Sequence, residues 1–367
     1  MKKPLLSLIL LLLAFNTYSQ IYLNPGVDTT LTEVKTALRF YTNYLDGFNG
    51  KQIPDLSSYW SAAELKQRKI PDQLIYAIND NPLYAQGYRP TILYIRSKSK
   101  YVHIKTQFSY ADSSGNIMTM AVTNHYIGTD DHKKPYFINP MTENLADWRI
   151  KTVRNVDFYY PSNHKFNHRR ADSLIKNIVK LEKEWNLKPI HIKYYLSDDN
   201  DELYKLRGFD YTVMMGNKLK PSGISDDRDN QVFCGGYGEN YFHEVVHVYL
   251  NRLHIGSPIR EGLAVLYGGS MGHPIKWHLK RVNQYLREHQ EADLSKIEDF
   301  WYTDPYTNPG SAIQGMICKL VYEKDGINGL KRLMTYKSYQ ELFEKEFNVS
   351  TEQLNAFLRQ KINEEAT

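Results

Sequence analysis

The run Phe242-His-Glu-Val-Val-His-Val-Tyr-Leu250 is apolar or aromatic everywhere except at His243, Glu244 and His247. A helix that is apolar on nearly every side belongs in a core. Two imidazoles and a carboxylate buried there are costly unless something pairs with them. His243 and His247 are four residues apart, just over one helical turn, so both rings project from the same face. Glu244 follows His243 and can reach a water beside an ion held by the two rings. One divalent cation, such as zinc, would pair with the whole His-Glu-x-x-His set. The plainer alternative is a buried helix whose histidines bond to neighbouring carbonyls.

A structural zinc site closes with four protein ligands, whereas a catalytic one takes three and keeps a position open. The chain therefore needs a third ligand, and His254 and Glu261 are within reach in sequence. Gly256-Ser-Pro258 ends the first helix, and Pro258-Ile-Arg-Glu-Gly-Leu-Ala264 begins another. Glu261 then falls in the first turn of the second helix, where it can approach both histidines across the corner.

At 367 residues there is room for two domains, at about 150 residues each. The first residues read as a signal peptide over 1–19. Lys2 and Lys3 precede an apolar stretch from Leu5 to Phe15, which is shorter than the roughly 20 residues a bilayer span needs. Thr17 and Ser19 suit signal peptidase, with cleavage between Ser19 and Gln20. The expectation is a periplasmic or secreted protein with no stable membrane insertion once the signal is removed. Losing Lys2 and Lys3 lowers the net charge from +5 to +3, too weak and too dispersed to argue for nucleic acid. Cys234 and Cys318 would meet a disulfide-permissive compartment. A bridge and two buried thiols both remain open.

The mature chain reads as two parts, 20–150 and 151–367, in an α+β arrangement. In the first, Thr30 and Glu33 suggest a capping box, and Leu31, Val34, Leu38 and Leu45 mark a helical stripe. Residues 91–96, 101–108 and 117–126 read as strands, with Asp112 to Asn116 as a turn. A helix followed by a small curved antiparallel sheet resembles the NTF2-like domains in outline. In the second part, 151–160, 190–196 and 231–234 read as strands of a small sheet. Leu174, Ile178, Leu181 and Trp185 mark a helix between the first two. Beyond 234 the chain reads as mainly helical, with a stripe at Ile275, Leu279, Val282 and Leu286 and a capping box at Ser350 and Gln353.

His243-Glu-Val-Val-His247 followed by Pro258-Ile-Arg-Glu-Gly-Leu-Ala264 resembles the gluzincin metallopeptidases of the peptidase MA-like branch. Ile259-Arg260 stands where that family usually has Trp-Leu, and the gap from His247 to Glu261 is shorter than in its aminopeptidase and thermolysin groups. The metzincin pattern fails, because Leu250 and Leu253 occupy its glycine and third-histidine positions. The resemblance implies one Zn2+ per chain on His243, His247 and Glu261, with Glu244 as catalytic base and a peptide or protein substrate. It also implies a tyrosine that stabilises the transition state. Tyr306, in Asp304-Pro-Tyr-Thr-Asn-Pro-Gly310, is the candidate, and Tyr302 is a weaker rival. A packing role for Tyr306 is equally compatible with the sequence. Other functions compatible with the sequence are a non-catalytic binding protein with a structural metal, and a zinc hydrolase acting on other bonds. Glu239 superficially suggests a substrate-binding acid, but reads better as a carboxylate at the start of the His243 helix. His164 and His168 read as a solvated helix start.

Overall fold

The structure is a computed structural model that describes residues 21–48, 53–68, 71–72, 74, 83, 87–215, 221–253, 255–297, 300 and 303–367. The expected signal segment, His254 and Tyr302 lie outside these residues. The fold is α+β, with two small sheets and a helical C-terminal half. Two compact units divide the chain. One takes the described residues of Met1–Ala146 and Tyr204–Gly216, and the other those of Asp147–Leu203 and Asn217–Thr367. The spans 20–150 and 151–367 read from the sequence miss the return of Tyr204–Gly216 to the first unit. That short segment carries no composition change to announce it.

In the first unit the chain runs through β1 (Tyr22–Leu23), α1 (Thr32–Asp46), α2 (Ala62–Gln67), β2 (Arg89–Ser97), β3 (Val102–Ala111), β4 (Ile117–Thr129), β5 (Pro135–Ile138) and α3 (Pro140–Asn144). The strands lie in the order β1-β2-β3-β4-β5, with β1 parallel to β2 and every other pair antiparallel. Ile104 and Phe108 alternate onto one face, and the core also takes Val34, Ala37, Tyr41, Tyr44 and Leu45 from α1. The expected box of Thr30 and Glu33 does not form. Thr30 instead donates its amide and hydroxyl to Asp28, and α1 starts after an uncapped Leu31. The turn after β3 is built by Asp112, whose Oδ1 accepts from the amides of Ser114 and Asn116.

The second unit opens with a hairpin, β6 (Trp148–Val153) and β7 (Val156–Pro161), where the sequence suggested one strand. Arg154, at φ 55°, turns the chain between them. Next come α4 (His168–Trp185), β8 (Ile192–Ser197) and α5 (Asn200–Leu206). The chain then enters the first unit, where β9 (Phe209–Thr212) pairs with β4. On its return it forms β10 (Ser222–Asp226) and β11 (Gln231–Gly235), giving a sheet in the order β10-β11-β8-β7-β6. The central strands β11, β8 and β7 are parallel and the two edges antiparallel. Ile192, Tyr194, Tyr195 and Leu196 are all buried on β8, as a strand covered on both faces requires.

The helical half comprises α6 (Phe242–Leu250), α7 (Arg260–Gly268), α8 (Ile275–Glu288), α9 (Pro309–Leu333), α10 (Tyr339–Phe347) and α11 (Leu354–Ala366). Leu279, Val282 and Leu286 bury the expected face of α8. The Ser350–Gln353 capping box forms, on a single 3-10 turn that leads into α11. One core joins α4, the sheet and these helices. No helix among the described residues is long and apolar enough to cross a membrane.

Candidate metal centre

The core encloses α6. Val245, Val246, Val248, Tyr249 and Leu250 are buried, and the Tyr249 hydroxyl donates to Glu182 Oε1 at 2.6 Å while accepting from the Ile190 amide at 3.1 Å. His243 and Glu244 are buried on the same helix. After Leu250 a single 3-10 turn and Gly256, at φ 84°, reverse the chain into α7. Two glycines then set the position of α7. A Cβ on Gly262 would lie 2.5 Å from the carbonyl oxygen of Gln314 on α9, and one on Gly268 would lie 2.4 Å from the His243 amide nitrogen. Only glycine permits both approaches. Glu261, beside Gly262, is thereby brought over the face of α6 that carries the histidines.

The three side chains converge. Nε2 of His243 lies 3.2 Å from Glu261 Oε1, Nε2 of His247 lies 3.3 Å from Glu261 Oε2, and the two Nε2 atoms are 3.2 Å apart. In a regular tetrahedron with zinc-to-ligand bonds near 2.0–2.1 Å, neighbouring ligands stand about 3.3–3.4 Å apart. The three donor atoms therefore outline one face of such a tetrahedron, and a cation centred beneath it would keep its fourth position. Among the described residues no fourth His, Cys, Asp or Glu joins the group.

The outer nitrogens decide how the inner ones are presented. His243 Nδ1 is 2.6 Å from the carbonyl oxygen of Gly269, which only accepts, so this nitrogen carries the proton. His247 Nδ1 donates likewise to Asn251 Oδ1 at 3.2 Å. In the neutral rings both Nε2 atoms then present lone pairs to each other and to a carboxylate. Such a cluster of acceptors repels itself unless a cation or a proton sits within it. Burial lowers the His243 pKa, but the hydrogen bond and charge of Glu261 outweigh it and push the pKa up to about 9. Burial likewise raises the Glu261 pKa, yet hydrogen bonds from His243 and His247 hold it well below the usual carboxylate range. The same two imidazoles and carboxylate form a group that could hold a metal ion.

Glu244 lies one residue past His243 and, among the described residues, takes no hydrogen bond and no ion pair. Above it passes the edge strand β10, where a Cβ on Gly223 would meet the Tyr241 ring at 2.4 Å and Glu244 Cγ at 2.8 Å. Glu244 thus passes close under the strand at its Cγ, and its carboxylate is left uncommitted. Tyr306 makes no described hydrogen bond to this group. Its backbone amide donates to Asp304 Oδ1 and its side chain is exposed, with no described contact to His243, His247, Glu244 or Glu261.

Glu239 also departs from expectation. It precedes α6, and its buried carboxylate serves the start of α4 instead, accepting from the Asn167 amide at 2.5 Å and pairing with His164 at 3.0 Å. His164 is accordingly partly buried and ion-paired rather than solvated, whereas His168 is exposed. Cys234 and Cys318 are separate buried thiols. A cavity of about 310 Å3 beside the start of α6 is lined by Tyr237, Asn240, Tyr241 and Tyr267 among others, and none of the three donors lines it.

No family model matches the chain, and no curated protein matches it.

Sequence reasoning missed the pieces that hold the donors, namely Asn251, Gly268 and Gly269. Asn251 stands four residues past His247, the spacing at which one helical side chain reaches another, and a Gly-Gly pair is a common way to end a helix tightly. Both signals were present but carry no chemistry by themselves.

Proposed function

We propose that this protein is an exported zinc-dependent peptidase. The observation that carries the reading is the mutual spacing of 3.2–3.3 Å among the donor atoms of His243, His247 and Glu261, with their outer nitrogens already committed as donors. His243, His247 and Glu261 would hold the ion. When bound, zinc supplies Lewis acidity and makes water acidic enough to ionise near neutral pH. Glu244, free of other partners, takes the proton of the attacking water and delivers it to the departing amine. Gly269 and Asn251 keep both imidazoles in the tautomer that faces inward. The carboxylate of Glu261 lowers the net charge of the centre.

Peptide bonds as the target follow from the resemblance of the His243–His247 and Pro258–Ala264 segments to gluzincins. Export follows from the apolar run at Leu5–Phe15. Glu244→Gln preserves shape and removes the base. The variant should bind one equivalent of zinc, as the parent does, yet release no peptides from a denatured protein mixture that the parent cleaves. Full cleavage by this variant would end the proposal, as would a purified parent that takes up no zinc.

A further inference from the structure

Gly269, whose carbonyl orients His243, sits at the head of a tight loop. Gly269, Met271 and Gly272 have φ of 70°, 50° and 77°, three left-handed residues within four positions. The two glycines take this backbone at no steric cost, and Met271 keeps it only where its surroundings hold it. Ser270 closes it on itself, exchanging backbone hydrogen bonds with His273 at 2.8 and 2.9 Å. The same Ser270 carbonyl meets Nε2 of His278 at 2.8 Å, reaching from α8. His278 is buried, and so is Thr307, whose Oγ1 lies 3.2 Å from His278 Nδ1.

The direction of each bond in this chain is determined. A carbonyl only accepts, so His278 Nε2 carries the proton. Burial lowers the pKa of the ring and keeps it neutral, helped by the charge of Arg281 and opposed by the Ser270 bond. Nδ1 must then accept, and the Thr307 hydroxyl donates to it. The remaining lone pair of Thr307 Oγ1 accepts from Arg281 Nε at 3.2 Å. Arg281 also binds Asp304 Oδ2, and Asp304 Oδ1 receives the amides of Tyr306 and Thr307. One unbroken series of hydrogen bonds therefore joins the loop that holds His243 to the turn that carries Tyr306.

We infer that His278 is a positioning residue: it pins the Gly269–Ser270 loop so that the Gly269 carbonyl holds His243 with Nε2 turned toward Glu261 and His247. The inference rests on His243 being a metal ligand. It assigns the integrity of that ligand to a side chain with no described contact to any of the three donors.

The test uses the full-length protein with zinc alone, competed against a chelator. His278→Phe fills the volume and removes both bonds, and should weaken zinc binding about 10-fold, at the low end of the 10–100-fold range for outer-shell changes. His278→Gln can still donate to Ser270 and should restore most of the affinity. Thr307→Val, a milder change that removes only the hydroxyl, should fall between them and serves if His278→Phe does not fold. An unchanged zinc affinity in His278→Phe, or in Thr307→Val if only that variant folds, overturns the inference. A second measurement separates it from the function proposed above. The Nδ1 proton of His243, shielded by the Gly269 carbonyl, should give a slowly exchanging downfield resonance in 15N-histidine-labelled protein, with or without zinc. Its loss in His278→Phe and return in His278→Gln support the positioning role even if the parent binds no zinc. Its persistence in His278→Phe overturns that role even if the parent binds zinc tightly.

Discussion

The carboxylate of Glu261 spans the two imidazoles, Oε1 lying 3.2 Å from Nε2 of His243 and Oε2 3.3 Å from Nε2 of His247. The proposed metal centre depends on this contact, because it joins two successive helices. Glu261→Ala removes one of the three proposed ligands outright, so its effect should exceed the 10–100-fold typical of outer-shell changes. Chelator competition should show zinc affinity at least about 100-fold weaker. A variant that held zinc as well as the parent would show that another group supplies the third donor.

At the proposed centre protons and metal would compete for the same atoms, and the sign differs between the two forms. Without metal, His243 has a folded pKa of about 9 against an ordinary 6.5. Its partnership with Glu261 then stabilises fully below pH 6.5 and is lost as pH rises through about 9. Glu261, with its pKa depressed below the ordinary 4.5, contributes above that value and loses its effect only in stronger acid. Metal-free protein should therefore be easier to unfold at pH 9 than at pH 6, measured by urea titration in chelator. Zinc affinity should run the other way, rising up to about tenfold per pH unit as the His243 proton becomes easier to displace. A flat affinity from pH 6 to pH 9 would contradict this account.

Gly262 and Gly256 offer a comparison. Alanine at Gly262 places a carbon 2.5 Å from a backbone oxygen of α9, whereas at Gly256 no described atom lies within 4 Å. Gly262→Ala should cost roughly 3 kcal/mol or more, as overpacking does, and should also weaken zinc binding by shifting Glu261. Gly256→Ala meets only the left-handed backbone, at about 1–2 kcal/mol. Equal losses in denaturant unfolding would mean that α7 does not depend on its close approach to α9.

Tyr249 anchors α6 through its hydroxyl, which donates to Glu182 and accepts from the Ile190 amide. Tyr249→Phe leaves the Ile190 amide without that acceptor and should cost about 1–3 kcal/mol. Thermal unfolding of the two proteins in chelator measures it, and a difference below a few tenths would remove Tyr249 from the anchoring of the helix.

The two thiols are buried, and burial pushes the Cys234 pKa up to about 12 and raises that of Cys318. Both should resist a thiol reagent at neutral pH and react together once urea unfolds the chain. Rapid labelling of either thiol in the native protein would contradict their burial.

The local signals of the sequence were sufficient for the elements near the site. The apolar run around His243 and His247 implied a buried helix, and four-residue spacing put both rings on one face, since helical geometry requires nothing beyond neighbouring residues. Pro258 and Gly256 marked the corner, and the stripe on α8 follows the same periodicity. Local signals misled where two readings competed for the same residues. The alternating stretch near Val153 hid a hairpin, because Arg154 takes the left-handed backbone that a glycine or asparagine would have signalled. Thr30 bonded to Asp28 rather than capping α1. Tertiary structure alone decided how far Glu261 stands from the histidines, because that distance depends on α7 pressing onto α9 at Gly262 and onto α6 at Gly268. It alone sent Glu239 to α4, returned β9 to the first sheet and joined His278 to Thr307. These contacts connect positions far apart in the chain, and their distances follow from how whole helices pack, which no short window of residues contains.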